Sequence, residues 1–152
     1  MKVSDFMITD VISVTGDTTL KELLKKLVNN KIGGVPVIDE ENHLIGMISD
    51  GDVLRYIQPK GTTIFDAISL VMVSEKEDFT EKLAYTLDHE VSTIMRKRDL
   101  KFVYADEPLE RSLRIFSKHH FKKIPVMDRD EKVIGVISRG DIIRFINNEL
   151  IK

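Results

Sequence analysis

With 152 residues, 42% of them hydrophobic, the chain can bury a core as one compact domain or as two small halves that share it. It has no cysteine, which excludes a disulfide framework and a thiolate metal site and fits a reducing compartment, so a cytoplasmic protein is expected. The formal net charge of -2 conceals two opposite halves: residues 1–90 hold nine Lys and Arg against sixteen Asp and Glu, a net of -7, and residues 91–152 hold fourteen against nine, a net of +5. This asymmetry draws anionic ligands to the second half and favours a head-to-tail dimer. Nucleic acid is the weaker expectation, because neither "RKR" (96–98) nor "KHHFKK" (118–123) lies in a strongly basic domain. No apolar run approaches the roughly 20 residues of a membrane span, and the start lacks a signal-peptide core.

In chain order, "VISV" (Val11 to Val14) predicts a short strand. Leu20, Leu23, Leu24, Leu27 and Val28 then fall on one face of a helix, and Thr19 with Glu22 forms a capping-box pattern at its start. "GVPVID" (Gly34 to Asp39), a turn over Glu40 to His43, and "LIGMIS" (Leu44 to Ser49) predict paired strands, with a helix following from about Gly51. "QPKG" (Gln58 to Gly61) breaks the pattern. Up to Glu90 the chain predicts two more helices, one through Ile64, Ile68 and Val71 and one through Phe79, Leu83 and Leu87, with acidic "SEKED" (Ser74 to Asp78) between them. Such helices either cover the core or dimer surface or engage a partner.

The remainder repeats the beginning. Leu20 to Ile57 aligns without a gap on Leu109 to Ile146, with 13 of 38 positions identical, and "VSDFM" (Val3 to Met7) returns as "VSTIM" (Val91 to Met95). Pro108 suits the first turn of the second copy's helix. The expected architecture is α+β: two tandem units, 1–57 and 91–152, each strand, helix, strand, strand, helix, joined by a helical segment over 58–90.

The repeated turns "ISDGD" and "ISRGD" hold Ser49 with Asp52 and Ser138 with Asp141. Serine three residues before aspartate can be a capping box alone. The same carboxylate can also accept both hydroxyls of a ribose diol, while the serine and nearby amides meet phosphate. Lys122 and Lys123 precede the Ser138 strand, and the equivalent first-copy residues are Gly33 and Gly34. Lysines there are either solvated surface or phosphate ligands. His119 and His120 are adjacent in sequence and diverge on a helix, so no metal site is expected. No nucleophile, carboxylate-pair or P-loop motif supports catalysis.

"GGVPVIDEENHLIGMISDGDVL" and "FKKIPVMDRDEKVIGVISRGDII" together resemble a pair of CBS domains, named after cystathionine beta-synthase. The resemblance implies a pseudo-twofold pair, a Bateman module, standing alone as a regulatory, non-enzymatic protein. Its clefts would bind an adenosine-containing ligand such as AMP, ADP, ATP, S-adenosylmethionine or cyclic di-AMP. By position, Asp52 and Asp141 would hold ribose, beside Ser49 and Ser138. Met47 and Val136 would line the base pocket, backbone around Ile12 and Lys101 would meet the base, Val35 and Ile124 would wall the cavity, and Gly33, Gly34, Lys122 and Lys123 would face the phosphates. The Asp141 cleft is favoured, because the lysines share its copy. The resemblance also implies a homodimer and a separate effector protein, and leaves open a scaffold with empty clefts.

Overall fold

The computed structural model describes residues 1–58 and 71–151, with the side chains of 71–78 outside the description. The first unit comprises β1 (Val14–Thr15), α1 (Leu20–Asn30), β2 (Gly34–Ile38), β3 (Leu44–Ser49) and α2 (Asp50–Ile57). After α3 (Val71–Thr86) the second repeats it as β4 (Val103–Tyr104), α4 (Leu109–Lys118), β5 (Lys123–Met127), β6 (Val133–Ser138) and α5 (Arg139–Phe145). Each unit is a three-stranded sheet in sequence order, the first pair parallel and the second an antiparallel hairpin.

The expected α+β duplication is present, with three local differences. The first strand is only Val14–Thr15, because it lies beside β2 only at Val14↔Val37 and Thr15↔Ile38; Ile12 packs on the core instead of pairing. "SEKED" does not separate two helices but lies inside α3, which holds no Gly or Pro to interrupt it. The helix expected around Ile64 and Ile68 lies outside the described residues. Pro108 stands one residue before α4, as its N-cap.

On α1, Leu20, Leu23 and Leu27 are buried, whereas Val28 is 73% exposed at the edge of the stripe. Thr19 accepts the Glu22 N–H at 3.2 Å, and its hydroxyl donates to the Glu22 carboxylate at 3.0 Å, anchoring the helix start.

Packing exchanges the segments that lead into each repeat. Val91, at the start of the second repeat, is fully buried in the first unit's core with Leu20, Val35, Val37 and Ile48. Val3 is likewise buried in the second unit's core with Val103, Ile124, Val126 and Ile137. The exchange continues in backbone pairs. Arg96 N–H donates to Met47 O at 2.8 Å and Met47 N–H to Arg96 O at 3.0 Å, while Ile8 and Val136 do the same at 2.8 and 2.9 Å. Each hairpin therefore gains an edge from the other repeat, and neither unit is complete without its partner. The hairpin tips also meet, with Asn42 Nδ2 donating to Val133 O at 2.7 Å and Val133 N–H to Asn42 O at 2.9 Å.

The duplicated cores differ at one revealing position. Leu23 of α1 corresponds to Ser112 of α4; both are fully buried, and the Ser112 hydroxyl has no hydrogen-bond partner among the described residues. An unpaired buried hydroxyl costs about 1–3 kcal/mol. Replacing it with alanine should thus stabilise the protein by about 1 kcal/mol, seen as a higher urea midpoint with unchanged slope; a lower midpoint for Ser112→Ala would contradict this.

Candidate functional site

Two mirrored helix entrances form the basis of the site. At the start of α2 the Ser49 N–H donates to Asp52 Oδ2 at 2.9 Å, the Ser49 hydroxyl donates to the same oxygen at 3.1 Å, and Asp52 N–H returns to Ser49 Oγ at 3.3 Å. Arg55 Nη2 holds the other carboxylate oxygen at 2.7 Å. Ser138, Asp141 and Arg144 reproduce the set at α5, with distances of 3.0, 2.7, 3.1 and 2.8 Å. The capping box is therefore real at both turns, and it uses only one oxygen of each aspartate. The second oxygen faces an exposed arginine, a surface pair that is cheap to open.

The surroundings of the two turns differ. Beside Asp52 lies a cavity of about 550 Å³, within the range of small-molecule sites. The first unit contributes Gly33, Gly34, Met47, Ser49 and Asp52. The second contributes Lys101 from the approach to β4, together with Lys122, Lys123 and Ile124 from the start of β5. Asp141 and Ser138 are not in its wall. The lysines that sequence placed with Asp141 thus also line the space beside the carboxylate of the opposite repeat, while Lys123, paired with Ser138 in the sheet, still feels the Asp141 charge. Among the other expected residues, Val35 is fully buried in the first core, Ile12 packs against that core, and Val136 is engaged by Ile8.

Several lining residues were not singled out from sequence. Arg55 recurs as Arg144, a repeat identity that could have drawn attention to it. Arg96 reaches the cavity because its backbone is pinned to Met47, and its guanidinium lies over the Phe121 ring, 5.4 Å from the centroid. Lys118 and His119 come from the end of α4 and the loop after it. Nothing in their spacing announces this position. Six basic side chains, Arg55, Arg96, Lys101, Lys118, Lys122 and Lys123, thus face three carboxylates, Asp50, Asp52 and Asp99, giving a net attraction for anions. Among the described residues no cluster of His, Asp and Glu could hold a metal, and no helix is long and apolar enough to cross a membrane.

Lys123 is half-buried, and this burial lowers its pKa, an effect partly opposed by the Asp141 charge. A lowered folded-state pKa means that the protonated form is penalised in the fold. The penalty is complete at neutral pH, is relieved as pH rises through the folded pKa, and has vanished above the unfolded value. Lys123→Met should consequently stabilise the unliganded protein at pH 7, with the gain fading at alkaline pH. Thermal melts from pH 7 to 11 test this; a gain that grows with pH would refute it.

The chain matches the CBS domain family over residues 3–59 and 91–148. It is 30% identical over 136 residues to the chloroplastic CBS domain-containing protein CBSX2 of Arabidopsis thaliana, covering 86% of this chain and 56% of that protein. It is 32% identical over 138 residues to an inosine-5'-monophosphate dehydrogenase of Aquifex aeolicus, of which it spans only 23%. The structure of CBSX2 in complex with AMP superposes with a TM-score of 0.69 at 28% identity, covering 94% of this chain and 93% of that one. The fold is shared with the CBS domain pair of protein MJ0100 in complex with 5'-methylthioadenosine and S-adenosyl-L-methionine, at TM-score 0.69, 21% identity and 98% coverage of each chain. Two copies of one sheet-and-helix unit, interlocked through their leading segments and carrying the family's pattern twice, make this chain a member of the CBS-domain family, as a tandem pair.

Proposed function

We propose that the protein is a regulatory sensor that binds an adenosine-containing nucleotide in the Asp52 cavity. The observation carrying this reading is the convergence of a carboxylate from one repeat, whose second oxygen is held only by an exposed arginine, with Lys101, Lys122 and Lys123 from the other in a single space of about 550 Å³. In this arrangement the ribose diol displaces Arg55 from Asp52 Oδ1, while Ser49 keeps Oδ2 and so keeps the carboxylate aimed. Met47, Ile124 and the backbone at Lys101 enclose the base. Lys122 and Lys123 meet phosphate. CBSX2 with AMP and the MJ0100 pair with its two adenosine ligands support this class of ligand.

A ligand spanning both repeats favours the arrangement in which they close on it, and a separate protein would read that shift. The copies associate, in this proposal, through exposed apolar residues at repeat-related places, Leu54 and Ile143 at 63% and 64% exposure, aligned by the opposite charges of the halves. Calorimetry of the full chain against AMP, ATP, S-adenosylmethionine and cyclic di-AMP tests the sensor. At least one should bind saturably, and at a hundred times its Kd it should add about 2.7 kcal/mol to the stability. Silence across the panel would overturn the reading in favour of an interaction scaffold.

A further inference from the structure

Behind the central cavity lies a second groove of about 460 Å³ along the outer face of α4. Arg111, Arg114 and Lys118 line it from the helix, and Lys101 from the approach to β4; Phe102 and Tyr104 form an aromatic wall. Positions 111, 114 and 118 are three and four residues apart, so the three cations stand on one helix face and repel one another. The single carboxylate in the groove, Glu107, is already occupied, since one oxygen accepts the Tyr104 N–H at 2.9 Å and the other lies 3.6 Å from Arg111. Among the described residues Lys101, Arg114 and Lys118 form no ion pair. The aromatic wall is fixed from behind. Arg129 stacks 4.1 Å from the Tyr104 centroid and is itself held by Asp106 through bonds of 2.9 and 2.7 Å.

The duplication supplies a control within the chain. What the fold requires occurs in both repeats, as the two capping boxes do. The first-repeat counterparts of Arg111, Arg114, Lys118 and Lys101 are Glu22, Lys25, Asn29 and Ile12. A cationic helix face present in one copy only is therefore not demanded by the fold, and its self-repulsion calls for an anion. We propose that this groove is a second anion-binding site, taking a small molecule with two or more phosphates and an apolar or planar body that rests on the aromatic wall.

Inorganic tripolyphosphate is a suitable probe, titrated calorimetrically into the full chain in parallel with AMP. It should bind saturably, and Arg111→Gln and Arg114→Gln should each weaken it ten-fold or more while leaving AMP affinity within two-fold. Asp52→Ala should do the reverse. Arg114→Gln removes an exposed charge from a repelling row, so its Tm should be no lower than that of the wild type, which separates lost binding from lost folding. The proposal is overturned if tripolyphosphate does not bind, if its affinity ignores both arginines, or if hexaglutamate binds the arginines more tightly than it does. Silence toward AMP, ATP, S-adenosylmethionine and cyclic di-AMP alike, with arginine-dependent tripolyphosphate binding, would end the nucleotide reading and leave the groove standing.

Discussion

Asp52→Ala should lower the affinity for the adenosine ligand about 100-fold, and the isosteric Asp52→Asn should do nearly the same at much smaller cost to the fold. A carboxylate that takes both hydroxyls of a ribose makes two charge-assisted hydrogen bonds, each worth about 1.5–3 kcal/mol. Losing about 3 kcal/mol of that corresponds to about two decades in Kd. Alanine also deprives the Ser49 N–H of its acceptor and ends the capping box, which should destabilise the protein by about 1 kcal/mol. Asparagine can still present an oxygen to Ser49, so it preserves the cap, but its uncharged second arm no longer attracts a diol. Asp141→Ala removes an equivalent cap from α5 without touching the cavity wall. It should therefore match Asp52→Ala in lost stability and differ from it in binding. Calorimetric titration alongside urea melts of the three variants decides the matter: if all three bind like the wild type, Asp52 serves only as a cap.

Comparison of the two turns shows what sequence could and could not convey. The S-x-x-D spacing was enough to place Ser49 and Ser138 as caps, since the hydrogen bonds involved are local and close within one turn. The leucine stripe of α1 and the hairpins were legible for the same reason: periodicity reports burial on neighbouring turns and strands. Its resolution ends at the edge of a face, which is why Val28 reads as core and lies open. The cavity's composition was harder to read because it depends on distances between residues of different repeats. Lys122 and Lys123 are nineteen and eighteen residues from Asp141 in the same repeat, yet they also line the space next to Asp52. The exchange of leading segments left a trace, the matching "VSDFM" and "VSTIM", without stating which core each would enter. Backbone pairs such as Arg96 with Met47 carry no side-chain signature.

The one residue that betrays this exchange is glycine. A Cβ on Gly46 would lie 2.6 Å from Met95 Sδ and 2.9 Å from Arg96 O, and one on Gly135 would lie 2.8 Å from Met7 Sδ and 3.0 Å from Ile8 O. The methionine can swing aside, but the carbonyls cannot, because each belongs to the reciprocal backbone pair that fastens one repeat's leading segment to the other's hairpin. Gly46→Ala must push that segment away and weaken both bonds, and we expect it to cost about 3 kcal/mol, roughly 6–12 °C in Tm. Gly135→Ala should cost about 2 kcal/mol, as its contacts are slightly longer. The two substitutions should part company in binding. Displacing the segment at Arg96 carries with it Leu100 and Lys101, which wall the cavity, so Gly46→Ala should lower nucleotide affinity about ten-fold in the fraction that remains folded. Gly135 abuts Met7 and Ile8, which are not in that wall, so its alanine variant should bind normally below its own Tm. Melting curves with and without ligand measure both effects, and a Gly46→Ala protein that melts with the wild type would mean that the two repeats are held together by something other than this clasp.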